Sequence, residues 1–92
     1  MVENDFGGNN MKHLDRVEII VEKEEYASDG VHKGMRGWIC DDEKINGYWL
    51  INFPQCGEKP DIATIPIKEV DLKLVSIMDA SVNERIKAEH GE

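Results

Sequence analysis

An all-β fold, a small antiparallel barrel of five short strands, is what this sequence predicts, and three observations predict it. Apolar residues recur with period two in five short segments, Gly, Pro and Asn-Gly turn signals separate them, and no long helical pattern lies between them. Strands joined by local connections pair antiparallel, and five of them close most economically by curling. At 92 residues the chain holds one core and has no room for a second domain.

Residues 1–12 open with Gly, Asn and acid and show no periodicity, so a disordered leader is expected there, with Met11 as a plausible alternative start of the folded unit. The barrel is expected over 13–76. Its first strand starts at Arg16, with Val17, Ile19 and Val21 facing in, Glu18 and Glu22 facing out, and Ile20 out of phase. A wide polar loop follows, with Asp29-Gly30 as a turn signal. In the second strand, MRGWIC, Met35, Gly37 and Ile39 share one face and Arg36, Trp38 and Cys40 the other. DDEKING reads as a hairpin connection because Asn-Gly readily takes positive φ at both positions. In YWLINF, Trp49, Ile51 and Phe53 point one way and Tyr48, Leu50 and Asn52 the other, and Pro54 ends the strand. IATIPI is a fourth strand, placed at an edge by Pro66. KEVD supplies one helical turn before a fifth strand, LKLV. Over 77–92 a short C-terminal helix is expected, with Ser81 and Glu84 spaced as a cap, Val82 and Ile86 on one side, and fraying beyond Lys87.

Nineteen acidic against eleven basic residues give a net charge of −8, a field that repels phosphate backbones and anionic membranes. No apolar run reaches the length of a membrane span, and the N-terminus lacks the features of a secretion signal, so the chain reads as cytoplasmic. Cys40 and Cys56 are expected as buried small hydrophobes, not as a disulfide. His13, His32 and His90 fall in three separate segments, so neither a metal nor a cofactor is expected. Gly30, Gly34 and Gly37 lack the Lys-Ser or Lys-Thr pair and the following helix of a phosphate-binding loop. Catalysis finds no constellation either. Ser28, Asp29 and His32 share a loop without a nucleophile elbow, and Asp41 and Asp42 sit in a solvated turn, so no enzyme is expected.

From Arg16 to Val75, the elements RVEIIVEK, KGMRGWI, YWLINF and IPIKEVDLKL, in this order, resemble the Src-homology-3-like (SH3-like) barrels, especially small bacterial domains of the KOW and Tudor-like group. That resemblance implies a turn at Gly34, a close backbone approach at Gly37 and a short helical turn at Lys68 to Asp71.

If Ile39 and Ile51 point inward, Trp38, Tyr48 and Leu50 form an outward aromatic patch on neighbouring strands, the composition of an interface hot spot. Met78, Val82 and Ile86 could instead lay the helix across it, or a second copy could cover it in a homodimer. The expected function is that of a non-enzymatic binding module, monomeric or dimeric, recognising a protein segment. Trp38, Tyr48, Leu50 and the loop residues Tyr26, His32, Lys33 and Arg36 would form the contact. Two alternatives stand beside it. The acidic surface could mimic nucleic acid toward a basic groove, or Lys33, Arg36 and the aromatics could bind nucleic acid directly as KOW domains do.

Overall fold

A computed structural model describes residues 11–91. Residues 1–10 of the expected leader lie outside them, and Met11, counted within the leader but also named as a plausible start of the folded unit, sits buried in the core. Five antiparallel strands form one curled sheet: β1 (Arg16–Ile19), β2 (Arg36–Ile39), β3 (Tyr48–Phe53), β4 (Ala63–Lys68) and β5 (Leu72–Leu74). A one-turn helix α1 (Glu24–Ala27) stands between β1 and β2, and α2 (Ala80–Glu89) follows the sheet. No helix of the described residues is long and apolar enough to cross a membrane.

The sheet order is β4-β3-β2-β1-β5, so β4 and β5 are the two edges. Only the 3-10 turn Glu69–Asp71 joins them. Three residues reach about 10 Å at most, so the sheet must curl until its edges nearly meet. This half-barrel is consistent with an SH3-like architecture. It also places Pro66 on an edge strand, where a missing N–H is tolerated.

The alternation read from the sequence holds in β1, β2 and β3. Trp49, Ile51 and Phe53 are buried while Tyr48, Leu50 and Asn52 are half-buried, and Met35, Gly37 and Ile39 face in while Arg36 and Trp38 face out. Ile20, the out-of-phase residue, is exposed. In the β2–β3 connection, Asn46 and Gly47 take φ of 53° and 84°, the paired left-handed values of a type I′ turn. Outside the curl, Glu18 pairs across strands with Arg36 on one side and Lys73 on the other, with N–O distances of 3.1 and 3.5 Å.

Three expectations are corrected. The loop between β1 and β2 is folded, not open: α1 turns Tyr26 inward, and Tyr26, Val31 and His32 are all buried. Tyr26 there joins the core cluster under the curled sheet. Cys40 and Cys56 are free and exposed, because Cys40 falls on the outer face and Cys56 in the loop after Pro54. The C-terminal helix is capped earlier and ends later than expected. Asp79 is its cap, accepting from the Ser81 N–H at 3.0 Å, and the helix runs past Lys87 to Glu89.

The Tyr26 hydroxyl donates to Asp71 Oδ2 at 2.7 Å and accepts from the Lys68 N–H at 3.2 Å, while Lys23 Nζ donates to the same carboxylate oxygen at 2.7 Å. Burial pushes the Asp71 carboxyl up, but the bonds from Lys23 and Tyr26 outweigh it and hold it below its ordinary 3.8. Burial, with the Asp71 charge beside it, raises the Tyr26 phenol well above 10. Tyr26→Phe should therefore cost about 2 kcal/mol at neutral pH, since it strips one bond from a buried carboxylate and a partner from the Lys68 N–H. The sign with pH is fixed: a depressed carboxyl stabilises fully above its unfolded value and loses that contribution as pH falls through the folded one. Urea melts should show the gap between wild type and Tyr26→Phe narrowing below about pH 4. A gap that stays constant with pH would mean that Asp71 is not the partner that matters.

Candidate functional site

Two surfaces stand out: the outer face of β2 and β3, and a cluster of imidazoles where the first loop meets the end of α2. The outer face carries two shallow apolar grooves. One, of about 400 Å³, is lined by Asp41, Ile45, Asn46, Tyr48, Leu50 and Pro66. The other, of about 500 Å³, is lined by Leu14, Trp38, Ile39 and Cys40 with His13 and Asn52.

These grooves follow from register. Leu50 stands opposite Pro66, Tyr48 opposite Lys68 and Trp38 opposite Asn52. The expected single patch of Trp38, Tyr48 and Leu50 is thus divided: all three are on one outer face, but Trp38 lines one groove and Tyr48 with Leu50 the other. Leu14 adds to the Trp38 groove and is 62% exposed at a φ of 72°, a conformation that L side chains avoid. An exposed leucine held in a disfavoured backbone contributes little to folding. Its position instead enlarges the apolar surface beside Trp38.

Helix α2 does not cover this face, and none of its residues lines either groove. It packs at the start of β2. Ile86 is buried against Gly34, and the buried Asn83 accepts from the Arg36 N–H at 2.7 Å while donating to the carbonyls of Arg36 and Pro54 at 2.8 and 2.9 Å. Glu84 accepts from the Cys56 N–H and from Lys59, both at 2.6 Å, and these bonds hold its carboxyl down to about 2.

The expected basic cluster is dispersed. Arg36 is turned to Glu18 and to the Ile77 carbonyl at 2.9 Å, His32 is buried, and of the three only Lys33 is exposed. Tyr26, expected in the contact loop, has its ring in the core. The second tryptophan, Trp49, is buried too, its Nε1–H donating to Glu69 at 2.9 Å.

The imidazole cluster has no counterpart among the sequence-based expectations. His32 and His90 stack face to face, with ring centres 3.6 Å apart and planes 5° from parallel. His32 Nδ1 lies 2.7 Å from Glu22 Oε2, and Glu22 Oε1 accepts from the Lys33 N–H at 2.8 Å. Partial burial raises the Glu22 carboxyl, but the Lys33 N–H and His32 outweigh this and keep it below its usual range. One donor atom from each of Glu22, His32 and His90 falls within 4.8 Å of the others. The fold makes this group by bringing the C-terminal helix onto the loop after β1, a contact no local spacing encodes.

Comparison with protein-family models, with curated proteins and with solved structures gives no match, so function is read from these two surfaces.

Proposed function

We propose that the protein is a non-enzymatic binding module, an SH3-like barrel of the KOW and Tudor-like kind, that recognises a protein segment on the outer face of β2 and β3. One observation carries this reading: the apolar side chains of Trp38, Leu14, Tyr48, Leu50, Ile45 and Pro66 line two adjoining grooves that the protein's own helix leaves uncovered. Tryptophan and tyrosine in such a setting supply large contact area at low entropic cost. Asp41 in the groove lining, in a chain of net charge −8, favours a segment that pairs apolar residues with Lys or Arg. Arg36 and His32 are engaged within the fold, which leaves the direct nucleic-acid reading with little positive charge to work with.

The test is selection from a displayed peptide library, followed by affinity measurement against the wild type, Trp38→Ser and Tyr48→Ser/Leu50→Ser, each first shown to be folded by circular dichroism. Selected peptides should combine apolar and basic residues, and binding should weaken at least about tenfold in the double variant. Peptides that bind every variant equally and leave in moderate salt would refute the groove and favour an acidic surface acting as a nucleic-acid mimic.

A further inference from the structure

We propose that Glu22, His32 and His90 form a site for one divalent transition-metal ion, two imidazoles and one carboxylate, which pins the C-terminal end of α2 to the loop after β1. The site is separate from the outer grooves and does not depend on the binding reading above.

The donor set selects the class of ion. Two imidazole nitrogens and one carboxylate oxygen suit Zn²⁺ and its neighbours in the first transition row, whereas Mg²⁺ and Ca²⁺ take oxygen ligands. Geometry brings the donors close without quite closing them. Atoms within 4.8 Å of one another must draw in to about 3.3 Å around a tetrahedral ion with bonds of about 2.0–2.1 Å. The adjustment falls on the side chains able to make it. His90 is exposed just beyond the last helical turn and Glu22 is about half exposed, so both can pivot, while the buried His32 stays as the fixed ligand. Exposure on that side also leaves room for water to complete the coordination.

The arrangement has further marks of a built site. Glu22 is held at one oxygen by the Lys33 N–H and at the other by His32, so the carboxylate already faces the imidazoles and needs only a small shift to close on an ion. Parallel rings stacked at 3.6 Å cannot both aim an in-plane nitrogen lone pair at one ion, so the exposed His90 swings out of the stack as the ion binds. The acidic net charge favours any cation.

The full chain, stripped with EDTA, is titrated with Zn²⁺ by calorimetry and melted with and without the ion. One Zn²⁺ per chain and a rise in melting temperature are expected, with no effect from Mg²⁺ or Ca²⁺. His90→Ala and Glu22→Gln should each weaken binding at least about tenfold, and His13→Ala and Cys40→Ser/Cys56→Ser should leave it unchanged. Both test substitutions are at exposed side chains, and circular dichroism in the absence of metal establishes that they fold. No binding by the wild type overturns the proposal. So does binding that survives both His90→Ala and Glu22→Gln, or that disappears with the cysteines or His13.

Discussion

Gly37→Ala is expected to lower the melting temperature by roughly 15 °C, corresponding to about 3 kcal/mol in a domain of this size. Gly37 lies on β2 between two partners, paired with Val17 of β1 on one side and backed by β3 on the other. A Cβ built there would stand 2.6 Å from Cγ2 of Ile51 and still closer to the backbone oxygen of Asn52. Neither can retreat. Ile51 is fully buried, and Asn52 is held between Trp38 on β2 and Thr64 on β4. One added methyl must therefore push the central strands apart, and a well-packed core answers that with strain in every layer. Gly47→Ala makes the contrast. A Cβ there meets nothing, so its effect is limited to the backbone penalty of a φ of 84°, about 1 kcal/mol. Thermal melts of the two variants side by side decide the matter: an equal loss in both would show that backbone freedom, not close approach, is what Gly37 supplies.

The first three strands were legible because period-two alternation is local, and Val17, Ile19, Met35, Ile39, Trp49, Ile51 and Phe53 could each be assigned inward from their own neighbours. The close approach at Gly37 was legible only through the resemblance to SH3-like barrels, which put a glycine where the second strand bends and packs closely. What the sequence concealed depends on distant contacts. Tyr26 sits in a polar loop and reads as a surface aromatic, but its ring is buried in the core and its hydroxyl meets Asp71, far along the chain. Arg36 reads as a free cation until Glu18 is placed beside it by the β1–β2 register. The division of the outer face between Trp38 and the Tyr48–Leu50 pair likewise needs the position of Leu14, whose left-handed backbone no propensity predicts. Glu22, His32 and His90 are the extreme case, since only the docking of α2 assembles them.

That docking depends on Asn83, and Asn83→Asp is expected to cost about 3 kcal/mol at neutral pH. The wild-type amide is fully buried and acts like one rung of a ladder, accepting one backbone N–H and donating to two carbonyls. In the variant an oxygen replaces the amide nitrogen and faces the carbonyls of Arg36 and Pro54 with no proton to give. Ionised, it is a buried charge beside two negative dipoles. Protonated, it can donate to one of them, so the folded state holds on to the proton and the carboxyl titrates above its unfolded value of about 3.9. A group raised in this way stabilises most below its unfolded value and loses the contribution as pH rises through the folded one. The deficit of Asn83→Asp relative to wild type should therefore be small near pH 4 and grow toward pH 8, by about 1.4 kcal/mol for every tenfold by which folding tightens the carboxyl's hold on its proton. Asn83→Ala, which cannot titrate, should show a deficit that is constant over the same range. If both variants behave alike, the amide is not the hinge of the contact. If they differ as expected, two further readings separate the surfaces at pH 8. Peptide binding on β2 and β3 should survive in Asn83→Asp, because α2 lines neither groove. Zn²⁺ binding should fall, because His90 is carried at the end of the helix that Asn83 holds in place.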